Sequence, residues 1–229
     1  PGYGRFYDHS AIELGAIASK AAMERADLQP RRIDHVIVGN ALQTSADAIY
    51  GARHVGLKAG CAIETPALTV NRLCGSGIQS IISGAEQLLL DHASYVLAGG
   101  MENMSQAPHV LRKARKGLRF GPGAKLEDSL FTALLDPYCG CFMAQTAENL
   151  AKKYDISRQA QDEYALRSHR LGVEATESGR FEEEIVPVTV EFEKEEVVCD
   201  HDSHIKPETD LEQLGKLSPA FGEDGTVTA

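Results

Sequence analysis

The sequence contains no tryptophan, and aromatic residues make up only 6% of its 229 positions. A core here must be built from aliphatic side chains rather than large rings. No apolar run approaches the roughly 20 residues that a bilayer-crossing helix needs, which excludes a helical membrane-spanning protein. No basic segment followed by an apolar one opens the chain, so nothing points to secretion. Basic residues are in deficit, 23 Lys and Arg against 33 Asp and Glu, for a formal net charge of −10. That balance argues against a general binder of phosphate backbones. The five cysteines form no even framework, which favours free thiols and a reducing compartment. What remains, 43% hydrophobic and 24% charged, is ordinary for a globular protein of one large or two small domains. The chain opens on Pro1 rather than Met, as a processed or truncated product would.

The first half alternates helical and extended patterns. Ser10–Ala26 carries Ile12, Leu14, Ile17, Ala18, Ala21 and Ala22 near a 3.6-residue period and predicts an amphipathic helix. The β-branched stretch in Asp34–Asn40 predicts a buried strand. Asp47–Gly60 predicts a second helix with Asp47 as N-cap and Gly60 as stop. Ala67–Leu73 and Ser94–Ala98 predict strands, with Cys74–Leu90 a helix between them. Such alternation argues for an α/β fold of βαβ units with a mostly parallel sheet. The character changes near residue 105. Pro108–Lys125, rich in glycine and basic residues, reads as a loop or hairpin excursion. Helices are expected at Met143–Tyr154 and Ser157–Glu177, and a hairpin from Ile185–Glu191 and Glu196–Cys199. Helical periodicity returns at Leu211–Leu217.

The densest chemical signal is Val70-Asn71-Arg72-Leu73-Cys74-Gly75-Ser76-Gly77. A strand ends, one Cys follows, and a turn of small residues opens a helix. This places the thiol at a helix N-terminus, where the helix dipole and unpaired N–H groups favour a thiolate. Gly75 and Gly77 leave the approach to the sulfur clear. The pattern is the thiol counterpart of a serine nucleophile elbow. A small buried Cys at a tight turn is the competing reading.

Asn71-Arg72-Leu73-Cys74-Gly75-Ser76-Gly77, followed by Gly99-Gly100-Met101-Glu102-Asn103-Met104-Ser105, resembles the thiolases. Pro66–Val70, Thr146–Leu150, Tyr164–His169, Leu211–Leu214 and Gly225–Ala229 are similar to thiolase segments in the family's order. Ser45–Tyr50 and Lys125–Leu130 look most like degradative 3-ketoacyl-CoA thiolases. The resemblance spans essentially the whole chain. It implies a βαβαβαββ N-terminal domain over residues 1–104, lacking its first strand. An inserted α+β loop domain over 105–229 would carry CoA-binding and tetramerisation segments, and the family's C-terminal repeat would be absent.

The resemblance implies Cys74 as the nucleophile that forms an S-acyl intermediate. It assigns CoA contacts to Phe142 and Met143 beside the pantetheine channel, to Lys206, where the family often places an Arg near the nucleotide, and to Gln213, in place of a small polar residue that contacts CoA in some members. Many biosynthetic thiolases carry a His where Phe142 stands, so Phe142 favours the degradative reading. Coenzyme A and acyl-CoA would be substrates, with no cofactor and no metal. A homodimer or homotetramer is implied, with neither nucleic-acid binding nor membrane insertion, in the cytoplasm or an organelle matrix. The activating His, an Asn-Glu motif and a second acid/base Cys would belong to the family's second repeat, which follows a Gly-Asn-Ala-Ser-Gly stretch beyond Ala229. The 229-residue chain alone is therefore expected to be inactive and to expose apolar surface. The alternatives are an acetoacetyl-CoA thiolase, or a shortened non-catalytic acyl-CoA-binding or subunit-interaction protein.

Other features take blander readings. Cys199–His204 lacks a second pair at zinc spacing and reads as a solvated loop. Cys139-Gly140-Cys141 could be a redox pair, but one residue separates the thiols where C-x-x-C motifs have two. The basic run Arg112–Arg119 suits assembly or plain surface. Glu102 and Asn103 are expected to pack at a turn rather than act as acid or base.

Overall fold

The computed structural model describes residues 4–117, 123, 125–222 and 224–228. The chain forms two compact units, Pro1–Leu130 with Val190–Val197, and Phe131–Thr189 with Val198–Ala229.

In the first unit, β1 (His35–Gly39), β2 (Ala67–Val70) and β3 (Val96–Gly100) form a parallel sheet in the order β2-β1-β3. Val36 pairs with Ala67 and with Leu97, which fixes the register. Helix α1 (Ala11–Arg25) starts at a capping box, in which Ser10 Oγ accepts the Glu13 N–H and Glu13 accepts the Ser10 N–H. Helix α2 (Gly51–Ala59) ends at Gly60, whose φ of +94° is the left-handed C-cap that glycine provides. Both helices pack on one face of the sheet around Ile12, Met23, Val36, Val38, Ala52 and Val55. Helix α3 (Ser76–Leu89) packs on the other face through Ser76, Ser80 and Gly84.

Asp47 does not cap the helix expected from 47 to 60. A 3-10 turn at Ala48–Tyr50 intervenes, and the Asp47 carboxylate accepts from Ser45 Oγ at 2.8 Å and pairs with His54 Nδ1 at 3.1 Å. The strand expected over Ala67–Leu73 stops at Val70, because Asn71–Gly75 turn sharply. The excursion after residue 105 contains the hairpin β4 (His109–Leu111) and β5 (Leu126–Asp128), tied by Arg112 Nε to Glu127 Oε2 at 2.8 Å. Leu118–Pro122 and Ala124, including Arg119 of the basic run, lie outside the described residues.

Helix α4 (Ser129–Ala133) leads into the second unit. There β6 (Leu135–Asp136) and β7 (Cys141–Phe142) form a short antiparallel pair. Helices α5 (Met143–Lys153) and α6 (Arg158–Glu177) follow, as the periodicity predicts. Strands β8 (Val188–Phe192) and β9 (Glu195–Cys199) form the expected hairpin around Glu193 and Lys194, both at positive φ. Helix α7 (Leu211–Gly215) is anchored by Arg158, which donates to the carbonyls of Leu214 and Leu217 and to the Asp162 carboxylate.

Candidate active site

The three parallel strands end together, and the loops beyond them form one connected polar assembly. Open α/β sheets place their ligands at this carboxyl end. Asn40, buried after β1, donates through Nδ2 to the carbonyls of Leu42 and Met101 and to Glu102 Oε1. The Glu102 carboxylate also accepts the N–H groups of Ala41 and Leu42, each at 3.0 Å. Glu102 thus braces two strand ends. Asn103 donates to the carbonyls of Phe6 and His9. Both residues hold turns, as the sequence implies.

Asn71 Nδ2 reaches the Ala41 carbonyl at 3.2 Å, which links this brace to the turn carrying Cys74. Leu73 sits at φ +49°, a left-handed conformation that a non-glycine residue adopts only when its surroundings impose it. The surroundings do so. Asn71 Oδ1 accepts the Leu73 N–H at 2.9 Å, and Ser76 Oγ accepts the Arg72 N–H at 2.9 Å. Ser76 Oγ in turn donates to the Leu73 carbonyl, while the N–H groups of Gly75 and Ser76 close on the carbonyls of Arg72 and Leu73 at 3.0 Å each. Cys74 follows this kink, is exposed, and stands just before Gly75, the N-cap of α3. Among the described residues no side chain hydrogen-bonds its sulfur. His54 pairs with Asp47, and His169 accepts the Lys206 N–H.

Close packing fixes where α3 begins. A Cβ on Gly39 would stand 2.5 Å from the Ser76 carbonyl carbon and oxygen. At Gly77 an added Cβ would meet nothing within 4 Å, so the approach along that side is open.

The other residues singled out from the sequence lie in the second unit. Phe142 packs its ring against Phe131 with centroids 4.9 Å apart, and its N–H donates to Gln145 Oε1 at 2.8 Å. Met143 opens α5 and is half exposed. Lys206 and Gln213 are both exposed, the latter in the first turn of α7, where Asp210 caps its N–H.

One relation was not foreseen. Glu148 of α5 accepts the N–H groups of Thr226 and Val227 and the Thr226 hydroxyl, tying the tail to the helix. The backbone N–H groups of Val227 and Thr226 hold its carboxyl below the usual range. These partners are 78 residues apart, so no local pattern announces them. Among the described residues no group of His, Cys, Asp and Glu is arranged to hold a metal ion. His201 pairs with Asp200 in an exposed loop.

The family model described as "Thiolase, N-terminal domain" matches residues 2–229. The human mitochondrial 3-ketoacyl-CoA thiolase is 49% identical over 226 residues, covering 99% of this chain and 57% of that protein. The Escherichia coli acetyl-CoA acetyltransferase is 44% identical over 227 residues, with the same coverage. A crystal structure of the human mitochondrial 3-ketoacyl-CoA thiolase in complex with CoA superposes with a TM-score of 0.92 at 48% identity, over 97% of this chain and 55% of that one. The chain therefore spans a little over half the length of the curated relatives it matches. The resemblance read from the sequence and the α/β fold it implied are borne out.

Proposed function

We propose, on the premise that this chain belongs to the thiolase family, that the protein cleaves or forms 3-ketoacyl-CoA through an S-acyl intermediate on Cys74. The observation that carries this reading is the exposed thiol on an imposed left-handed turn at the head of α3, in a chain 49% identical to a 3-ketoacyl-CoA thiolase. A thiolate there would attack the keto carbon of the substrate. The bond between that carbon and the acetyl carbon breaks, and its electron pair takes a proton as acetyl-CoA leaves. The acyl group stays on sulfur until the thiol of free CoA attacks it and restores Cys74. The covalent intermediate divides one difficult exchange into two easier ones. The Cys74 backbone N–H, beside the reacting sulfur, suits a developing oxyanion. The groups that move protons to and from Cys74 and the acetyl carbon are assigned to the family's second repeat.

Phe142, Met143, Lys206 and Gln213 are proposed to contact CoA. Met143 offers a soft, adaptable surface to pantetheine, and Lys206 a cation without the fork of an arginine. The division near residue 105 into N-terminal and loop domains belongs to the same reading. Strand β2 is an edge of the sheet, with Leu68 half exposed. Isologous pairing of two such edges would give a homodimer, and the excursion around the β4–β5 hairpin a tetramer. Location in an organelle matrix or the cytoplasm is compatible with the mitochondrial relatives. Among the described residues no helix is long and apolar enough to cross a membrane.

Acetyl transfer tests the proposal. Full-length protein incubated with acetyl-CoA and digested with trypsin should carry the acetyl group on the peptide Leu73–Arg112, which contains Cys74 as its only cysteine. Cys74→Ser should lower thiolysis at least ~1,000-fold with the fold retained. Acetylation of another cysteine peptide would overturn the assignment.

A further inference from the structure

Cys139 and Cys141 play no part in the chemistry above. They stand where β6 turns into β7, with Asp136 paired to Cys141 and Leu135 to Phe142. The turn is closed by its own backbone. The Gly140 N–H donates to the Asp136 carbonyl at 2.8 Å, and the Tyr138 N–H to Asp136 Oδ1 at 2.8 Å. Gly140 takes φ +69°, and a Cβ there would meet nothing within 4 Å. Tyr138 beside it is 98% exposed. The turn is thus open to molecules in solution.

Each sulfur approaches a different carbonyl of this one short turn. Cys139 Sγ lies 3.9 Å from the Asp136 carbonyl, and Cys141 Sγ lies 3.6 Å from the Cys139 carbonyl. The Cys141 N–H favours the Cys139 thiolate, but desolvation, the Asp136 carboxylate and the neighbouring Cys141 thiol outweigh it, so the Cys139 thiol is held up. Cys199 and Cys61 are buried, and Cys74, the other exposed thiol, lies in the first unit.

We propose that Cys139 and Cys141 form a reactive dithiol that small disulfides oxidise reversibly to an intramolecular disulfide. The Cys141 thiolate attacks one sulfur of the small disulfide. A mixed disulfide forms and one small thiolate leaves. Cys139 gives its proton to water and attacks the Cys141 sulfur, expelling the second small thiolate. Two electrons pass from the protein thiols to the small disulfide, which departs as two thiols. Cys139 suits the second step because it stands two residues from Cys141 on the same closed turn, which makes its attack on the mixed disulfide intramolecular. A ring spanning only Gly140 has little room to reach relaxed disulfide geometry, and strained disulfides are the readily reduced ones. The bridge therefore acts as a reversible redox mark at the head of α5. This goes beyond the proposed thiolase reading and does not depend on it.

The peptide Leu126–Lys152 makes the test direct, since trypsin releases it with Cys139 and Cys141 as its only cysteines. Full-length protein is treated with oxidised glutathione at neutral pH, quenched in acid, alkylated and digested. The native peptide should be lighter by two hydrogens and free of adduct, and dithiothreitol should restore its mass. In Cys139→Ser and Cys141→Ser, with no second thiol to resolve it, the glutathione adduct should be roughly tenfold more abundant than in the native protein. A native peptide that stays fully alkylatable, or carries glutathione on either thiol at equilibrium, would overturn the proposal. Its result is read from mass alone, so it stands or falls separately from acyl transfer.

Discussion

On one face of the three-stranded sheet, α1 and α2 meet the strands through Ile12, Met23, Ala52 and Val55, against Val36 and Val38. On the other, α3 meets the same strands through Ser76, Ser80 and Gly84, four residues apart. The first face follows the usual rule of apolar stripe inward. The second inverts it. Ile78, Ile81, Ile82, Leu88 and Leu89 point away from the sheet, with Leu89 85% exposed. Small residues let α3 approach closely. Ser80 Oγ, fully buried, lies within hydrogen-bond distance of the carbonyls of Gly77 and Gly99, and a Cβ at Gly84 would lie 3.1 Å from Val96. That closeness draws the head of α3, and the thiol beside it, against the strand ends. An exposed apolar stripe of this size is the kind of surface that marks an interface.

The contrast can be broken most severely at Gly39. Its replacement by Val would put side-chain carbon onto the Ser76 backbone, which cannot rotate away, and should cost about 4 kcal/mol by urea unfolding. Ile12→Ala, on the conventional face, should cost about 3 kcal/mol, as a buried aliphatic truncation does. Ser80→Ala should cost about 1–2 kcal/mol, because the part-buried carbonyls of Gly77 and Gly99 lose the one hydroxyl proton they share. Leu89→Ala should change the stability of the 229-residue chain by less than about 0.5 kcal/mol. In a full-length protein whose second repeat covers α3, the same change should cost about 2 kcal/mol. Equal small effects in both would break the inference that this face is meant to be covered.

Periodicity made α1, β1, α3, α5 and α6 legible, because each is long enough or β-branched enough to show its period. The seat of Cys74 was legible for a different reason, the run of small residues after a strand. Which face of α3 turns inward was not. Its apolar residues dominate the period, while the packing stripe is only Ser76, Ser80 and Gly84, and small residues carry little weight in any hydrophobic pattern. Asp47 looked like a cap because it precedes an apolar run, yet its carboxyl is held low chiefly by the hydrogen bond from His54, and the helix waits for Gly51. The β6–β7 pair is two residues long on each side, too short to leave a period.

Leu73 carries a last consequence, one of handedness. Its φ of +49° is the mirror image of what an L-amino acid prefers, at a penalty of about 1–2 kcal/mol. The hydrogen bonds of Asn71 and Ser76 hold the residue in a shape natural to its enantiomer. A D-leucine placed there by chemical ligation would adopt that shape unforced. The perch of the thiol is thus a point where the chirality of the chain works against the fold, and where a single inverted centre would be welcome.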